Sequence, residues 1–86
     1  MLKSLNAPGQ ELAGGIRFIM MDGVDCVGCW VSREALNEIE GGDPSQQERT
    51  ARFDRHRPNI EELARQKFDA GEKSPIVMTF DFRTFR

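Results

Sequence analysis

The stretch IRFIMMDGVDCVGCWVS, residues 16–32, decides the fold. Two apolar runs, Ile16–Met21 and Val24–Ser32, flank Asp22-Gly23, and a glycine there supplies the positive φ that a tight hairpin turn demands. The segment therefore reads as two antiparallel strands. Side chains alternate across a strand, so Val27, Cys29 and Val31 share one face of the second strand while Cys26, Gly28 and Trp30 share the other. The Val, Cys, Val row is the expected core face.

Working outward, Ser32 is placed to cap a helix, and Ala35, Leu36 and Ile39 fall on one stripe before Gly41-Gly42 ends it. Asp43-Pro44-Ser45-Gln46 restarts the chain with a capping residue, a proline at the first helical position and a Gln that completes a capping box. The stripe of this second helix runs through Phe53, Ile60, Leu63, Ala64 and Phe68, and Gly71 closes it. Pro58 interrupts the hydrogen bonding but not the phase of the stripe, which predicts one kinked helix rather than two. After EKSP at 72–75, Ile76, Met78, Phe80 and Phe82 alternate with Val77, Thr79, Asp81 and Arg83, which predicts a strand with an apolar core face. Leu2–Leu5 offers an optional short edge strand within a partly irregular segment 1–15. The expected fold is one α+β domain over 1–86: a small antiparallel sheet made of the hairpin and a C-terminal strand, packed against one short helix and one long, kinked helix.

The bulk properties fit this scale. An 86-residue chain buries only ~60% of the surface that its unfolded form exposes, so its stability is modest and self-association would supplement it. With 38% hydrophobic and 30% charged residues, six Phe and one Trp, the chain is too apolar to be disordered. It contains no secretion-signal pattern and no run of ~18 apolar residues, so the expected setting is the cytoplasm with no membrane involvement. The net charge of −2 gives no overall pull toward nucleic acid.

In this order of elements, CWVSREAL at 29–36 and IEELARQKF at 60–68 resemble the DUF1488 family over roughly residues 16–83. The resemblance implies a small bacterial α+β domain for which no activity or catalytic residue is established. It also implies that a cysteine is common at the position of Cys29, with no regular counterpart at Cys26, which argues against a paired role.

Three constellations compete for a function. The CxxC pair Cys26 and Cys29 suggests redox or metal chemistry, but three residues along a strand span ~10 Å and point the two side chains to opposite faces, beyond the ~7 Å Cα separation that a disulfide tolerates. Zinc would also need two further ligands, and the chain has neither a second CxxC nor a pair of histidines. A bulge at Gly28 is the one local escape. Two unlinked thiols in a reducing compartment are the simpler expectation.

The stretch QQERTARFDRHRP at 46–58 gathers Arg49, Arg52, Arg55 and Arg57 with His56, a face that could pair with phosphates. Glu48 and Asp54 are interleaved, which favours a salt-bridged helix surface. The third candidate is Trp30, for which packing inside the monomer under a second layer is the simpler expectation; if the sheet face it shares with Cys26 and Gly28 is exposed, it instead anchors an interaction patch. No nucleophile signature, phosphate loop or histidine pair is present. The sequence thus points to a non-enzymatic accessory or regulatory module that needs no cofactor and acts on a protein partner or as a homodimer. Nucleic-acid or phosphate-ligand binding by the arginines is one alternative, and a thiol or metal protein using Cys26 and Cys29 is the other.

Overall fold

The structure, a computed structural model, describes residues 2–41 and 46–84. The chain runs β1 (Leu2–Ser4), β2 (Gln10–Leu12), β3 (Gly15–Asp22), β4 (Asp25–Ser32), α1 (Arg33–Glu40), α2 (Gln46–Asp69), β5 (Ile76–Val77) and α3 (Thr79–Thr84). β3 and β4 pair antiparallel along their whole length, from Gly15↔Ser32 to Asp22↔Asp25. The turn falls at Gly23-Val24, and Gly23 takes a φ of 64°, the positive value that a two-residue hairpin with glycine at its first central position requires.

The expected N-terminal edge strand is present as β1, which pairs antiparallel with the turn end of β3 through Leu2↔Asp22. Further along the same edge β2 pairs with β3 through Gln10↔Arg17, joined to it by the tight turn Ala13-Gly14. β5 lies against the other edge, beside β4, with Trp30↔Ile76 and Val31↔Val77 in parallel register. The sheet is therefore mixed rather than wholly antiparallel. The connection permits this: α1 and α2 intervene between β4 and β5, and a parallel pair needs a crossover of at least that kind, which a tight hairpin cannot supply.

The C-terminal strand is shorter than its alternation suggests. Val77, not the Ile76, Met78, Phe80 row, points into the core, and those three residues are exposed. Beyond Met78 the chain turns into α3, where the Asp81 carboxylate accepts the Met78 N–H at 2.7 Å. Lys67 Nζ on α2 holds the same carboxylate at 3.1 Å. A capping carboxylate three residues into a helix outcompetes the strand reading here.

One face of the sheet carries the core: Leu2, Ile16, Phe18, Met20, Val27, Cys29 and Val31 pack with Ala35, Leu36, Phe53, Ile60, Leu63 and Ala64 of the helices. The rings of Phe18 and Phe53 meet at 5.3 Å. Ser32 caps α1 as expected, accepting the Ala35 N–H at 3.0 Å. α2 continues through Pro58 as one helix. It ends in a paired cap, with Gly71 at φ 111° donating to Phe68 O and Glu72 N–H donating to Lys67 O, which satisfies two terminal carbonyls. The expected Asp43-Pro44-Ser45 start of α2 lies outside the described residues.

Two glycines in the hairpin differ in what surrounds them. A Cβ on Gly15 would strike the Val31 carbonyl oxygen and come 2.9 Å from Trp30 Cζ2, whereas one on Gly28 would meet only Arg17 nitrogens at 3.6 and 3.9 Å. Gly28 is regular strand, paired with Ile19. Gly15→Ala is expected to destabilise the protein by about 1–3 kcal/mol, because backbone cannot yield as a side chain can, while Gly28→Ala stays close to wild type. Urea denaturation of the two variants checks this, and equal midpoints would contradict it.

Candidate interaction face

The arginines of α2 form the most conspicuous charge pattern in the sequence. Arg55 grips Glu40 of α1 through Nη2 and Nε, at 2.9 and 3.1 Å, His56 Nε2 lies 2.6 Å from the same carboxylate, and Arg52 Nε stands 3.5 Å away. Arg52 is buried and also donates to the Leu36 carbonyl at 3.1 Å, where it meets the negative end of α1. Arg49 pairs with Glu11 of β2. Arg57 pairs with Glu61 at 3.0 Å and lies over the Phe53 ring at 5.2 Å. The structure does bring Arg52, Arg55 and His56 together, but around a carboxylate. Hydrogen bonds from Arg55 and then His56 hold the Glu40 carboxyl down at about 2, with the charges of Arg55 and Arg52 adding to an effect that burial opposes.

The two cysteines part as strand geometry requires. Cys26 is exposed and Cys29 buried, both as free thiols. Cys29 donates weakly to the Val27 carbonyl at 3.7 Å, and burial, followed by the nearby Glu61 charge, pushes its thiol up to about 11. Cys26 lies on the other face, its sulfur 3.6 Å from Met21 Sδ. Among the described residues no cluster of three His, Cys, Asp or Glu is arranged to hold a metal ion.

The opposite face of the sheet remains. All the helical residues that join the core cluster do so on the Phe18, Cys29 side, and register places a second set of side chains behind it. One row across the sheet reads Gln10, Arg17, Trp30, Ile76, another Lys3, Met21, Cys26, and between them stand Ile19 and Gly28. Ile19, Met21 and Trp30 are half-buried, and Arg17, Cys26 and Lys3 exposed. Leu12 and Ile76 retain 40% and 46% of their exposure, too much for side chains covered by a second layer. The indole of Trp30 runs over Gly14 and Gly15, and the Arg17 guanidinium leans over Gly28, where a side chain is missing.

Of this face the sequence reading singled out only Trp30, Cys26 and Gly28. Arg17, Ile19 and Met21 were missed, although β3 carried the signal. Ile16, Phe18 and Met20 fill one parity of the strand while Ile19 and Met21 occupy the other, a pattern of strands with two apolar faces. No described helix is long and apolar enough to cross a membrane.

Fold and face together define a two-layer α+β module with one covered and one open sheet surface. The chain belongs to the family described as protein of unknown function (DUF1488), whose sequence profile matches residues 10–78. The match spans β2 through β5, so it includes both long strands of the face, and it leaves out β1 and α3. No curated protein and no solved structure matches the chain.

Two outcomes follow from this geometry. In the native protein a thiol reagent is expected to modify one cysteine, Cys26, at a rate far above that of Cys29, which reacts only after denaturation; two fast thiols in the native state would contradict the burial of Cys29. The Glu40 cluster sets an acid response. A carboxyl whose folded value lies near 2 instead of the usual 4.5 contributes stability that is complete above the unfolded value and is lost as pH falls from about 4.5 toward 2. The stability gap between wild type and Glu40→Gln should therefore be widest above pH 5, narrow through that window, and shrink in high salt because the pair is exposed. Thermal melts across pH 2–7 measure it.

Proposed function

We propose that this chain is a non-enzymatic interaction module, that the open face of its sheet is the working surface, and that Trp30 is the central anchor. The observation that carries the reading is the lopsided sheet. α1 and α2 cover one face, and the other presents a tryptophan flanked by Ile19 and Ile76 on strands that cannot turn those side chains inward without expelling Phe18, Cys29 and Val77. Exposed contiguous apolar surface around an aromatic is the usual character of a docking site.

Two further facts favour this reading over its rivals. Arg49, Arg52, Arg55 and Arg57 each have a carboxylate within 4.0 Å, so phosphate would have to displace an internal partner from every one of them. The cysteines lie on opposite faces, and the thiol of Cys29 is shifted away from the thiolate that redox and metal chemistry require. Two free thiols also fit a reducing compartment, and the proposal places the module in the bacterial cytoplasm.

Cys26 and Trp30 report directly on the face. With the face occupied by a partner or by a second copy, alkylation of Cys26 should slow and Trp30 emission should shift. The comparison is made at increasing protein concentration and on adding soluble extract of the source cells, with Ile19→Ser as the control that weakens the response. An unchanged Cys26 rate and unchanged Trp30 emission in both series would sink the proposal.

A further inference from the structure

We infer that the occupant of the open face is an amphipathic helix bearing carboxylates, and that Arg17 is the residue that reads their charge; the inference rests on the face being the working surface. The strand positions of this face carry Leu12, Ile19, Met21, Trp30 and Ile76 as apolar groups. They carry two cations, Lys3 and Arg17, and no aspartate or glutamate. The chain as a whole has 14 acidic against 12 basic residues, so the face is opposite in sign to the molecule.

The state of its cations also sets it apart. On α2 the basic residues Arg49, Arg52, Arg55, Arg57, Arg65 and Lys67 all have carboxylates within 4.0 Å. Arg17 and Lys3 have none among the described residues. Arg17 stands directly across from Trp30 on the neighbouring strand. Its guanidinium lies 3.6 Å from the point where Gly28 would carry a Cβ, so the missing side chain leaves room for a planar, two-pronged donor to rest on the strand with its nitrogens available. A guanidinium in that setting matches a carboxylate with two parallel hydrogen bonds.

Charge disfavours a second copy on the same face, because two stacked sheets would bring like cations together where nothing neutralises them. Shape favours a helix. β3 and β4 are eight residues each, ~27 Å at ~3.4 Å per residue, the length of a helix of ~18 residues at 1.5 Å rise. A helix laid along them would complete an α/β/α sandwich around a sheet whose β4–β5 pairing is already of the parallel kind that is normally covered on both sides.

Trp30 is the single tryptophan, so its emission can be titrated with 18-residue amphipathic peptides built from Leu and Glu, Leu and Gln, or Leu and Lys. The Leu/Glu peptide is expected to bind, and Arg17→Gln, an exposed substitution whose folding is confirmed by circular dichroism, to weaken it roughly tenfold. Arg17→Glu should reverse the preference toward the Leu/Lys peptide. Equal binding of the Leu/Gln and Leu/Glu peptides, or an Arg17→Glu preference identical to wild type, overturns the charge assignment while leaving the face as the working surface. A Trp30 response confined to phosphatidylglycerol vesicles, or sedimentation showing a dimer that excludes the peptides, overturns the helix as occupant. Silence of Trp30 toward every peptide overturns this inference; only if Cys26 is also indifferent to extract and concentration does the face reading fall with it.

Discussion

The full-length pairing of β3 with β4 is the constraint on which the rest of the structure depends. Because side chains alternate with period two, a slip of one residue would send Arg17 and Ile19 into the helix layer and put Phe18 and Met20 on the outside. Three features hold the register. Gly23 sets the turn at one end, Gly15 packs without a side chain against Val31 and Trp30 at the other, and Phe18 engages Phe53 of α2 in between. The core and the open face are thus two consequences of one alignment, and neither can be redesigned without disturbing the other.

α2 converts that alignment into a fixed two-layer object. Its apolar stripe supplies the burial, while its polar residues tie strands at the sheet's edge to the helix. Arg65 donates to the Leu2 carbonyl at 2.8 Å, buried Glu61 accepts from Ser4 at 3.0 Å, and Arg49 reaches Glu11. Exposed ion pairs of this kind contribute little to stability. Those in which one partner is buried matter more, because deleting the other partner strands a charge away from water. The basic residues of α2 therefore act as struts. β1, three residues long and too short to hold itself, is kept in place by two of α2's polar side chains.

Much of this was legible in the sequence because it rests on local chemistry: the glycine turn, the serine cap of α1, the α2 stripe that keeps its phase across Pro58, and the divergence of Cys26 from Cys29. What was hidden depends on long-range partners. The run from Ile76 to Phe82 alternates like a strand, yet Asp81 is claimed by the Met78 amide and by Lys67, and no periodicity announces a contact made from α2. β2 was hidden because a three-residue pairing carries too little pattern. The interleaved acids already favoured a salt-bridged surface for the arginine array, but the actual partners of Arg49, Arg52 and Arg55 were hidden, because Glu11 and Glu40 come from other elements. Arg17 occupies what reads as the ordinary polar position of an amphipathic strand, and its significance emerges only when the arginines of α2 prove to be engaged.

A chain of this size also links the open face to stability. A small domain buries a limited fraction of its apolar surface, and here Trp30, Ile19 and Met21 remain half-buried while Leu12 and Ile76 are exposed. Covering them would add burial at about 25 cal/mol per Å² to a core with little margin, and any ligand specific for the folded state raises stability by mass action. A monomer built for stability alone would place Lys, Thr or Glu at these outward positions. Keeping apolar groups there carries a cost, and Trp30, the largest side chain the protein has, is among them. Gly28 adds to it, since a glycine inside a strand sacrifices both entropy and packing, and what it leaves in return is the space over which the Arg17 guanidinium lies.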